Sequence, residues 1–174
     1  MKHLKYYVLM FCLLASQCIT AQSQTEAEVN DPDFQKMLQR LLQMKVDHMD
    51  VDELHADPDK YIILDSRELP EYETSHIEGA IHVGYNKLQH DVIQDISKDA
   101  EIVVYCSVGY RSERVAYQLQ KKGYSNVKNL YGSIFEWANR GYPLISADGS
   151  TTDVHTYNRK WSQWMSNSSY KAIW

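Results

Sequence analysis

Two runs without a polar break, Tyr61-Ile62-Ile63-Leu64 and Ile102-Val103-Val104-Tyr105, constrain this chain more than any other feature. A strand with one face in water alternates apolar and polar residues, whereas a strand that is apolar at every position has both faces covered. Strands of that kind belong to parallel sheets with helices on either side. Shorter strands are expected over residues 80–83 and 127–130. Residues 112–122 read as a helix whose inner face is Val115, Ala116 and Leu119, ended by Gly123. Ser133 and Glu136 have the spacing of a capping box that opens a helix burying Ile134 and Trp137, with Gly141 and Pro143 to stop it. The fold class is therefore α/β: an open, mostly parallel sheet with helices on both faces.

In such sheets ligands gather beyond the carboxyl ends of the strands. Cys106 stands there, directly after the second apolar run and before Ser107-Val108-Gly109-Tyr110-Arg111-Ser112. The thiolate is the reactive form of cysteine, and backbone N–H groups at a helix N-terminus stabilise it. Gly109 gives the loop the backbone freedom of a tight cradle, and Arg111 brings a permanent positive charge for an anion. The competing reading of Cys106 is a buried structural cysteine, which needs apolar surroundings that Gly109 and Arg111 do not provide.

The loop resembles the active-site loop of the rhodanese (thiosulfate sulfurtransferase-like) family. Upstream, Leu64-Asp65-Ser66-Arg67-Glu68, Glu71-Tyr72 and His76-Ile77-Glu78-Gly79-Ala80 are similar to the family's pattern of aspartate, arginine, a Glu-aromatic pair and Gly-His-Ile-x-Gly-Ala. Downstream, Leu130-Tyr131-Gly132-Ser133-Ile134-Phe135-Glu136-Trp137 and Gly141-Tyr142-Pro143 match its closing signature. Ser75 and Ser133 stand where the family has glycine. The resemblance covers roughly residues 46–145. It implies a five-stranded rhodanese-like sheet and Cys106 as the residue that carries sulfur as a persulfide.

On this reading the N–H groups of Ser107, Val108, Gly109, Tyr110 and Arg111 face the sulfur. Each such bond to a charged group contributes on the order of 1.5–3 kcal/mol, so a few suffice to lower the thiol's pKa. Arg111 holds an anionic donor, or is an ordinary first-turn arginine. Ser112 donates its hydroxyl to the sulfur, or caps the helix. Val108 and Tyr110 shape the rim. Asp65 and Arg67 lie near the active face as structural residues, with Arg67 paired to Glu71. His76 is a hydrogen-bonded structural histidine, because a thiolate held by N–H groups needs no base. No metal-ligand spacing occurs among the histidines, and no cofactor is expected.

The chain of 174 residues divides into four expected parts. Residues 1–21 read as a signal peptide: Lys2 and Lys5 precede an apolar stretch over 6–15, and Ala21 is the last residue removed. The stretch is too short to span a bilayer; lipid attachment at Cys18 is the alternative. Residues 22–45 form an extension with a helix over 32–44, capped by Asp31, Pro32 and Asp33. Its stripe of Phe34, Met37, Leu38, Leu41 and Leu42 covers the domain's own core or, alternatively, receives a partner. The domain occupies 46–145. An aromatic C-terminal part, 146–174, packs on it.

Cleavage after Ala21 removes two of eighteen basic residues and none of twenty-three acidic ones, so the net charge becomes −7. That sign disfavours nucleic acid and anionic membranes as partners. Cleavage also removes Cys12 and Cys18, which leaves Cys106 as a single thiol in an exported, periplasmic or secreted protein. The functional expectation is a sulfurtransferase that takes sulfane sulfur from a small sulfur-containing anion such as thiosulfate and gives it to cyanide, a thiol or a protein acceptor. The six-residue loop from Cys106 to Arg111 is one residue shorter than that of the phosphatases sharing the fold, and the extra thiols of arsenate reductases are missing. A non-catalytic sulfur carrier or partner-binding module is the alternative.

Overall fold

A computed structural model describes residues 27–174; the expected signal peptide and Cys18 lie outside them. Five parallel strands form the central sheet: β1 (Asp47–Met49), β2 (Ile62–Asp65), β3 (Ile81–His82), β4 (Glu101–Tyr105) and β5 (Asn126–Leu130), in the order β1-β5-β4-β2-β3. The two apolar runs are the neighbouring strands β2 and β4, in register from Ile62 opposite Ile102 to Asp65 opposite Tyr105.

Alternate residues of these strands feed two cores. Ile63, Val103 and Tyr105 face one, with Phe34, Leu54, Phe135 and Trp137; Leu64, Ile102 and Val104 face the other, with Val115, Ala116 and Leu119. The first face is covered by α1 (Pro32–Leu41), α2 (Val51–Ala56) and α6 (Ser133–Asn139), the second by α4 (His90–Gln94) and α5 (Tyr110–Lys121). The short helix α3 (Leu69–Thr74) follows β2 at the edge where the site forms.

α1 is capped by Asp31, whose carboxylate accepts from Asp33 N at 2.8 Å and Phe34 N at 3.0 Å. It stops three residues short of the expected end at 44. Leu42 leaves the helix in an extended conformation, and its side chain lies against Gly109. Met44 N then donates to the Glu113 carboxylate, a tertiary bond that replaces the next helical one. The apolar stripe is packed against the chain's own core, with Phe34 and Leu38 buried in it.

The expected capping box at Ser133 and Glu136 does not form. Gly132 is the cap residue, in a left-handed conformation where an added Cβ would lie 2.6 Å from the Glu136 Cβ. The Ser133 hydroxyl accepts from Cys106 N at 3.2 Å and donates to Leu130 O at 3.0 Å, while Glu136 accepts from Arg140 Nε and Asn30 N. A capping box does occur in α3, between Glu68 and Glu71.

Beyond Pro143 the chain forms an antiparallel pair, β6 (Leu144–Ser146) with β7 (Gly149–Thr151), and a parallel pair, β8 (Asp153–His155) with β9 (Lys171–Ile173). β6 is bridged to His76 through Ile145, and β8 packs on α3. Trp164 stacks on Phe34 at 5.4 Å between ring centroids. No described helix is long and apolar enough to cross a membrane.

Candidate active site

Cys106 sits immediately after β4, and α5 begins four residues later, two residues earlier than the sequence indicated. Gly109 makes this sharp junction, at φ 113°, a conformation other residues rarely adopt. Its N–H then points at the sulfur, 3.2 Å from Cys106 Sγ. Burial alone would push the thiol up, but the Arg111 charge, the Ser112 hydroxyl and the N–H groups of Ser112 and Gly109 together hold it below the ordinary cysteine value. Of the N–H groups from Ser107 to Arg111 that the sequence suggested, Gly109 N is the one that donates to the sulfur at hydrogen-bond distance. Cys106 is only 1% exposed, so its sulfur is covered by the surrounding protein.

Arg111 differs most from expectation. Its guanidinium is clamped end-on by Glu71, Nη1 to Oε2 at 2.6 Å and Nη2 to Oε1 at 2.7 Å, and Nη2 also donates to Ser107 Oγ at 2.9 Å. The Ser107 hydroxyl donates in turn to Glu71 Oε1. Burial resists ionisation of Glu71, yet the hydrogen bonds and charge of Arg111 outweigh it and hold the carboxyl below its usual range. The ring of Tyr157, from the C-terminal segment, lies 5.6 Å from the guanidinium carbon.

Arg67 therefore does not pair with Glu71. It is fully buried on Asp65, with Nη2 to Oδ2 at 2.6 Å, and Nη2 also donates to Ser75 O. The pair fixes the turn after β2. His76 stacks on Tyr72 at 3.9 Å, and its Nδ1 lies 2.9 Å from Tyr72 O. Ser112 Oγ lies 2.7 Å from Asn129 Oδ1, and Asn129 Nδ2 donates to Gly109 O, so β5 braces the loop from below. Val108 is buried in the first core, whereas Tyr110 is partly exposed at the start of α5.

Glu71, Asn129, Ser133 and Tyr157 are site residues that the sequence reading did not assign. Asn129 carried no signal of its own, because Asn126 and Lys128 are polar residues of the same strand. Glu71 carried one in its place within the Glu-aromatic pair. Among the described residues no cluster of His, Cys, Asp and Glu side chains could hold a metal ion.

A parallel α/β sheet that holds one activated cysteine at the N-terminus of a helix is a frame for transferring a group through sulfur. The chain belongs to the rhodanese-like domain family, whose model matches residues 50–140. It is 29% identical over 121 residues to a sulfurtransferase of Allochromatium vinosum, covering 70% of this chain and 99% of that one. To the thiosulfate sulfurtransferase GlpE of Coxiella burnetii it is 31% identical, over 56% of this chain and 89% of the relative. Identity to the putative sulfur carrier protein YrkF of Bacillus subtilis is 32%, over 45% of this chain and less than half, 42%, of that protein. Among solved structures, the BH2092 protein of Bacillus halodurans shares the fold with a TM-score of 0.54 at 24% identity, covering 67% of this chain and 86% of that one.

Proposed function

We propose that this protein is a sulfurtransferase that relays sulfane sulfur through a persulfide on Cys106. The observation that carries the reading is the placement of Cys106 Sγ on the Gly109 N–H, within the field of Arg111. The ionised sulfur attacks the outer sulfur of a donor. The donor's S–S bond breaks, its remainder leaves with the electron pair, and Cys106 carries the transferred sulfur. An acceptor thiolate or cyanide then attacks that outer sulfur and regenerates the thiolate. Because Cys106 is covered, side chains around it must move before a donor can reach the sulfur.

One residue holding the sulfur in both half-reactions requires ping-pong kinetics. Initial rates at varied donor and acceptor should give parallel double-reciprocal lines, and Cys106→Ser should abolish turnover. Intersecting lines, or turnover that survives the substitution, would overturn the relay.

A second reading, a sulfur carrier that discharges only to a dedicated protein, is favoured by the burial of Cys106 and by the relative named as a putative sulfur carrier. A carrier would be loaded by donors yet fail to turn over with cyanide or small thiols. Export with cleavage after Ala21 is proposed from residues 1–21 alone; N-terminal sequencing of exported protein that found Met1 would refute it.

A further inference from the structure

Arg111 is the cation nearest in sequence to the nucleophile, and its binding capacity is largely used within the protein. Of the five guanidinium N–H groups, three donate to Glu71 and Ser107. The Tyr157 ring lies 5.6 Å from the Arg111 guanidinium carbon. The pair is sheltered, with the Glu71 side chain 3% and that of Arg111 14% exposed, so solvent screens it weakly. Glu71 is anchored independently, since Glu68 N donates to its Oε2 in the α3 capping box. Asp65 and Arg67, which also act on the Glu71–Arg111 pair, offset each other, as do Glu113 and Arg114 further along α5. With Cys106 ionised, the one guanidinium of Arg111 thus faces two anions, Cys106 and Glu71, and these three groups together carry a net negative charge.

Such a site repels a dianion. Thiosulfate would add two more negative charges beside Cys106 and Glu71, or would have to displace a bidentate carboxylate from Arg111. A sulfur atom bound to a thiol brings far less charge. Resting on the sulfurtransferase reading, we propose that Glu71 selects the donor: the site takes sulfane sulfur from thiol-bound persulfides of low net charge in preference to dianionic oxyanion donors. The reaction is balanced as written for RS–SH. Cys106 thiolate bonds to the terminal sulfur, the RS–S bond breaks, RS⁻ leaves with the electron pair, and the proton stays on the new Cys106 persulfide. Glu71 touches neither sulfur; it positions and neutralises Arg111.

The test compares two probes on the full chain: thiosulfate, and the persulfide of cysteamine, whose ammonium balances an ionised persulfide. Wild type should show a kcat/KM for loading at least tenfold higher with cysteamine persulfide. The isosteric Glu71→Gln should shift the ratio of the two toward thiosulfate by roughly ten- to a hundredfold, equivalent to about 1.4–2.7 kcal/mol. A thermal melt accompanies each protein. An unchanged ratio in a folded variant would overturn the assignment of Glu71. If the variant fails to fold, a wild-type preference for thiosulfate overturns the proposal by itself. Loading of wild type by neither donor would defeat the sulfurtransferase reading as well, so the two failures are told apart.

Discussion

At Cys106 burial and local charge pull in opposite directions, and local charge wins. A thiol whose folded value is lowered contributes stability that is fully present above the unfolded value, about 8.5, and that is lost as pH falls through the folded value. The same ionisation governs reactivity. The rate of sulfur loading should hold level as pH falls through about 8.5 and decline only below it. Arg111→Gln removes the largest of the influences that favour the thiolate and should move that decline to higher pH. A pH profile of single-turnover loading checks both; a break at the ordinary thiol value in the wild type would contradict the account. Glu71, also lowered, should add stability above about pH 4.3 that fades on further acidification. Residue-level chemistry was only partly legible in the sequence. Cys106 and its loop could be read because the motif is local. The Glu71–Arg111 clamp could not, because its partners lie 40 positions apart and several acids compete for several arginines.

The elements were easier to read where burial dictated their composition. β2 and β4 announce themselves because both faces are covered, whereas edge strand β1, Asp47-His48-Met49, has no apolar run and gave no signal. Ser133 misled for a related reason: the spacing of a capping box is local, but its hydroxyl serves the tertiary link between β5 and Cys106. At φ 53° Ser133 occupies the left-handed region that a glycine there would enter freely. The C-terminal elements were legible as aromatic, not as strands. They are fastened to the domain by Trp164 on Phe34, by Asn139 Oδ1 accepting from Ser166 N, and by β8 on α3. Phe34→Ala should cost about 3–5 kcal/mol of stability and loosen this segment. Denaturant unfolding, together with limited proteolysis between Trp161 and Trp174, measures both. A loss below about 1 kcal/mol would mean that the aromatic stack is not a principal fastening.

At the scale of the whole molecule, the parallel sheet brings the ends of β2 and β4 together, so that the turn carrying Asp65 and Arg67, the helix carrying Glu71 and the loop carrying Cys106 share one edge. The C-terminal segment adds Tyr157 above Arg111, which places the extension within reach of the chemistry and not merely on the domain's flank. The account stands on one event at this edge, the formation of a persulfide on Cys106. Intact-mass analysis after exposure to thiosulfate and to cysteamine persulfide, followed by peptide mapping, observes that event directly. The account predicts the gain of one sulfur atom, located on Cys106 and absent from Cys106→Ser. A folded wild type that gains no sulfur from either donor, or that carries it elsewhere, would contradict it.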